Sequence, residues 1–158
     1  MRGGRMIACV AVSVLLAVPR LTAQASRVDP CSLLTAAEVS AVLHITSLPG
    51  RPFLGSKTVC IYSADTSNTI GEASVTLMVM SRAAFENGKV LDASIMHPAS
   101  GIGDDAYAVG SGSYLKLGVL KGNQAFSVTV VPGEKNQVSL AQLQQMEEQL
   151  AKNALARL

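Results

Sequence analysis

The sequence predicts an α+β domain in the order α-βββ-α-βββ-α, a mainly antiparallel sheet with flanking helices. Three observations carry that expectation. Two capping boxes, Thr35 with Glu38 and Ser139 with Gln142, mark helix starts near the two ends of the domain. Between them lie segments in which apolar and polar side chains alternate, the pattern of strands with one face buried. Tight Gly-rich links, Gly110-Ser111-Gly112 and Gly122-Asn123, join the last three segments as hairpins.

The domain follows an expected export signal at residues 1–25. Arg2 and Arg5 form a basic start, Met6 to Val18 is apolar apart from Ser13, and Ala23-Gln24-Ala25 is a small-residue cleavage site. The apolar run has 13 residues and stops at Pro19-Arg20. A membrane-spanning helix needs about 20, so cleavage before Ser26 is favoured over a retained anchor. Lipidation requires a Cys just past the apolar run, whereas Cys9 lies inside it and Cys31 well beyond. The expected location is periplasmic or secreted.

Removing the signal takes Arg2, Arg5 and Arg20 with it and leaves 10 basic against 11 acidic residues. The basic balance of the whole chain therefore says nothing for nucleic acid or anionic lipid as a partner. Residues 26–158 are expected to form one domain, long enough for a single core of Val, Leu, Ile, Ala and Met.

Along that domain, Asp29-Pro30 opens a helical turn, with Asp29 as cap and Pro30 first in the helix. The Thr35 box starts a helix carrying Val39, Val42 and Leu43 on one face and ending near His44. Arg51 to Leu54 and Lys57 to Tyr62 read as strands; the second puts Val59 and Ile61 on one face, Cys60 and Tyr62 on the other. Asp65 to Gly71 is a polar turn. Glu72 to Met80 alternates Ala73, Val75, Leu77 and Val79 with Ser74, Thr76, Met78 and Met80.

Ser81 caps a short second helix around Ala83, Ala84 and Phe85, which Gly88 weakens and which frays by Ala93. Gly101 to Asp105 is a tight turn. Ala106 to Val109, Ser113 to Leu120 and Gln124 to Val131 are strands. The last helix runs from the Ser139 box to about Arg157, with Leu143, Met146, Leu150, Ala154 and Leu158 on one stripe.

Two cysteines remain after cleavage, Cys31 and Cys60. An isolated pair in an oxidising compartment forms a bridge. It would close a loop of about 30 residues, worth roughly 3–4 kcal/mol. The rival reading is two buried free thiols. No His or third Cys stands at ligand spacing for a metal.

The remaining motifs favour ordinary structural roles. Gly101-Ile102-Gly103-Asp104-Asp105-Ala106 resembles a dinucleotide fingerprint, but it precedes a strand where the fingerprint must open a helix. Asp104 and Asp105, with Asp92, lack the patterned oxygens of a calcium loop. His44 and His97 have no nucleophile or orienting acid at suggestive spacing, and neither Gly-x-Ser-x-Gly nor His-Glu-x-x-His occurs. Met78 and Met80 with Tyr62 form a candidate apolar groove, since adaptable Met surfaces occur at binding sites; ordinary core beneath the second helix is the competing account.

Asp29-Pro30-Cys31-Ser32-Leu33-Leu34-Thr35-x-x-Glu38-Val39, then Val59-Cys60-Ile61-Tyr62, then Gly101-Ile102-Gly103-Asp104-Asp105-Ala106-Tyr107 together resemble a family of bacterial exported domains of unknown function. Many of its members are actinobacterial lipoproteins, and it is similar to the extracellular sensor domain of a mycobacterial serine/threonine kinase. The resemblance implies an α+β fold with helices flanking a sheet, and a groove; it implies no catalytic residues. This chain departs from the pattern in having no lipobox Cys, one Cys pair where the kinase domain has two bridges, and no attached kinase.

The reading these observations favour is an exported non-enzymatic module that binds an envelope component, a peptide or a small apolar ligand, without cofactor or metal. An accessory protein docking on a partner protein is the alternative, and a hydrolase the third. An open groove at Tyr62, Met78 and Met80 would favour the first, a flat exposed apolar patch the second.

Overall fold

Asp29 begins the fold by accepting the Cys31 N–H at 2.9 Å, which caps a single 3-10 turn, Pro30–Ser32. Thr35 then caps helix α1 (Ala36–Leu43) through the reciprocal box: the Glu38 N–H donates to Thr35 Oγ1 and the Thr35 N–H to Glu38. His44 closes the helix in the left-handed region, with φ of 55°. The computed structural model describes residues 28–64, 72–91, 93–111, 114–133 and 137–158. The expected signal at 1–25, the cleavage point at Ser26, the polar turn at 65–71, Asp92 and the hairpin link at 112–113 lie outside the described residues.

The first strand, β1, is only Arg51–Pro52, because the chain leaves the extended conformation for a 3-10 turn at Phe53–Gly55, where Leu54 takes φ of 49°. The expectation of a strand to Leu54 is corrected there. Strands β2 (Val59–Ser63) and β3 (Ser74–Ser81) follow. Ser81 then accepts the Ala84 N–H at 3.2 Å, and the chain turns straight into helix α2 (Arg82–Leu91).

A short strand that the sequence pattern does not reveal, β4 (Met96–Pro98), comes next. The last three strands are β5 (Asp105–Ser111), β6 (Tyr114–Lys121) and β7 (Gln124–Val131). Helix α3 (Leu140–Leu155) starts at the second box, with Ser139 and Gln142 bonded reciprocally.

All seven strands join one antiparallel sheet in the order β1-β2-β3-β7-β6-β5-β4. Each half is a meander, and the last strands of the halves meet in the middle along eight pairs, from Ser74↔Val131 to Ser81↔Gln124. The fold class is therefore α+β with flanking helices, and β4 makes the second meander four strands long. Both sheet edges are short and end in proline, Pro52 on β1 and Pro98 on β4. Proline cannot donate to an incoming strand, so these edges resist pairing with another chain.

Strand alternation divides the core in two. One face carries Cys60, Tyr62, Val75, Leu77, Leu117, Val119, Phe126, Val128 and Val130, and α1 and α3 cover it through Val39, Leu43, Leu143, Leu150, Ala151 and Ala154. The other face is covered at one corner by α2, whose Phe85 packs with Tyr107, Val109, Leu120, Ala125 and Met80. Phe85 and Tyr107 meet edge to face, with ring centroids 5.0 Å apart.

Gly88 belongs to this corner. A Cβ there would collide with the Tyr107 hydroxyl, and one on Gly118 would lie 2.9 Å from Tyr107 Cε1. The tyrosine ring fits because both neighbours lack side chains. What reads in sequence as a weak point of α2 is the contact that lets it reach the sheet.

Candidate functional site

Cys31 and Cys60 are joined by a disulfide, with their Cα atoms 5.2 Å apart. The bridge fastens the Pro30–Ser32 turn to the middle of β2. Beside it, the Tyr62 hydroxyl donates to the Leu34 carbonyl at 2.9 Å and lies 3.2 Å from that of Cys31. Burial pushes the Tyr62 hydroxyl up to about 12, so it remains a donor under all ordinary conditions.

That placement corrects the three-residue groove. Tyr62 is fully buried beneath the N-terminal turn, on the face covered by α1 and α3. Met78 and Met80 project from the other face, where Met80 packs at the α2 corner and both are half-buried. The sheet lies between Tyr62 and the methionines, so the three do not line one groove. The period-2 rule already separates them once their strands are paired: Tyr62 is opposite Val75, and Met78 opposite Val59.

The histidines also stand apart in role. His44 is the exposed residue that ends α1. His97 is half-buried in β4, its Nε2 3.1 Å from the Gly110 carbonyl oxygen. Asp104 accepts the Gly122 N–H at 2.7 Å and pairs with Lys121 at 2.8 Å. These two partners hold its carboxyl below the usual range, the backbone bond being the larger influence. Asp105 pairs with Lys89 at 2.6 Å, tying α2 to β5. Both acids are engaged in closing turns and docking a helix. Among the described residues, no group of three or more His, Cys, Asp or Glu is placed to hold a metal.

Two features escaped the sequence pattern. The first is Glu147, fully buried on the sheet-facing stripe of α3. Its Oε1 accepts the Val130 N–H at 3.0 Å. The signal was present: position 147 is four residues after Leu143 and three before Leu150, squarely on the apolar stripe.

The second is an exposed apolar patch. The single buried residue of α2 is Phe85. Beyond it, the last turn presents Val90 at 77 % and Leu91 at 82 % exposure. The chain then passes through a 3-10 turn (Ala93–Ile95) into β4, where Ile95 and Met96 are 48 % and 38 % exposed. Four large apolar side chains thus stand in solvent within seven residues. The neighbouring ionic groups are already satisfied, Lys89 by Asp105 and Glu86 by Arg82. Asp92, within the same stretch, lies outside the described residues.

No protein-family model matches this chain, and no curated protein or solved structure matches it significantly.

Proposed function

We propose that this is an exported docking module that binds a partner protein of the cell envelope through Val90, Leu91, Ile95 and Met96. The single observation that carries this reading is the patch itself. Scattered exposed apolar residues are normal on any protein, but a contiguous group marks a surface that another molecule covers. Exposed apolar side chains bordered by ion pairs have the anatomy of a protein interface.

Export rests on the basic, apolar and small-residue parts of residues 1–25 and agrees with the disulfide. No helix among the described residues is long and apolar enough to cross a membrane. The choice of a partner protein over a small enclosed ligand follows from the separation of Tyr62 from Met78.

The test is photo-crosslinking in intact cells, with a photoreactive residue at position 91 and, as control, at exposed position 152 on α3. The expected result is a discrete heterologous adduct from position 91 alone, lost on Met96→Asp. Equal labelling from both positions would remove the basis for this reading. An adduct between two copies of the chain would replace docking with self-association.

A further inference from the structure

We propose that Glu147 is a pH-operated latch between helix α3 and the seam of β6 and β7: protonated it holds the helix on the sheet, ionised it lets the helix lift. The geometry begins in the strand register. The β6–β7 pairing runs from Lys121↔Gln124 to Lys116↔Thr129 and goes no further. Val130 is the next residue, and its N–H donates to Glu147 Oε1. The Leu117 main chain, on the neighbouring strand, also favours the ionised form of this carboxyl. One side chain of α3 therefore bonds β7 just past the point where its ladder with β6 ends.

Among the described residues, the surroundings supply nothing to balance a charge. Glu147 is 0 % exposed, and Oε2 has no hydrogen-bond partner among the described residues. On β6 and β7 the buried residues that share its face of the sheet are Leu115, Leu117, Val119, Phe126, Val128 and Val130. The charged groups of the elements packed against α3 are directed or engaged elsewhere. On β6, Lys116 projects from the opposite face and Lys121 pairs with Asp104. On α1, Glu38 pairs with Arg157. The described part of β7 has no charged side chain. On β4, His97 shares the face but bonds the Gly110 carbonyl. Within α3, Glu148 accepts from Gln144, and Lys152 is exposed.

An ionised carboxylate in that setting is a buried charge without a counter-ion, which the structure relieves by protonation or by opening. Burial is the dominant influence on its affinity for protons; it outweighs the main-chain contributions of Val130 and Leu117 and raises the carboxyl to about 8. A lifted helix returns it to the ordinary carboxylate value of 4.5. The closed state thus binds the proton more tightly, so the latch is fully engaged below pH 4.5 and loosens as pH rises through 8. Within that window the open-to-closed ratio of α3 rises by up to about tenfold per pH unit.

The experiment uses the exported, oxidised protein. Infrared spectroscopy follows the protonated carboxyl band between pH 5 and 9. Hydrogen exchange of α3, corrected for intrinsic rate, is measured over the same range in wild type and Glu147→Gln. The expected result is a protonated carboxyl that persists at pH 6 and disappears near pH 8. Wild-type α3 should open steeply over the same interval, while the Gln variant shows no such dependence. Absence of the band at pH 6, or parallel pH profiles in the two proteins, would overturn the proposal. If Glu147→Gln fails to fold, the wild-type infrared titration decides alone.

Discussion

Tyr62 and Met78 stand on opposite faces of the same sheet, three residues' worth of pairing apart on neighbouring strands. Tyr62 is sealed under the N-terminal turn, while Met78 belongs to the face that α2 covers at one corner. One consequence is that the disulfide, Tyr62 and the caps of α1 form a structural block.

Tyr62→Phe should therefore destabilise without altering any surface property. The substitution leaves the buried carbonyl of Leu34 without its donor, at a cost of about 1–2 kcal/mol. Urea unfolding measures it, and an unchanged midpoint would show that the hydroxyl contributes nothing there.

Cys60→Ser should cost roughly 2–5 kcal/mol, because the bridge restricts the unfolded chain between turn and strand. The same loss should appear when wild type is unfolded under reducing conditions. Two free thiols in native, non-reduced protein would contradict the bridge.

Gly88→Ala reverses the usual expectation for a helix. In an exposed helix interior that change stabilises by up to about 1 kcal/mol. Here the added methyl meets the Tyr107 hydroxyl, so the variant should unfold at a lower urea concentration than wild type. A stabilised variant would mean that Tyr107 moves aside freely.

Glu38 gives a pH dependence of opposite sign to that of Glu147. Burial tends to raise its carboxyl, but hydrogen bonds from Arg157 and Thr35 outweigh this and hold it below the ordinary 4.5. A lowered native value contributes stability above the unfolded value, and that contribution is lost as pH falls through the native one. Glu38→Gln should thus be less stable than wild type at pH 7, with the two converging in acid. A gap that stays constant down to pH 3 would remove the ion pair with Arg157 as its cause.

Much of this architecture is legible in residues whose chemistry acts locally. The two capping boxes place α1 and α3, and alternation places β2, β3 and β7 to within two residues. The junction of the halves at β3 and β7 is not legible, since alternation fixes faces but not neighbours. Strand β4 is hidden because three residues ending in Pro98 are too short for any period. Glu147 is hidden because a stripe is recognised by its apolar members. The candidate groove failed for a related reason: Tyr62 and Met78 are both large and apolar, and only the pairing of Tyr62 with Val75 shows which side each faces.

The docking account is tested most directly by methionine oxidation, with Met96 as reporter and Met78 as internal reference. Met96 is 38 % exposed within the patch, and exposed thioethers oxidise readily to the sulfoxide. The extent of oxidation is compared between purified protein and protein in intact cells under the same peroxide exposure. The account predicts that Met96 is oxidised in the purified protein and protected several-fold in cells relative to Met78. An unchanged Met96 to Met78 ratio in the two settings would contradict it.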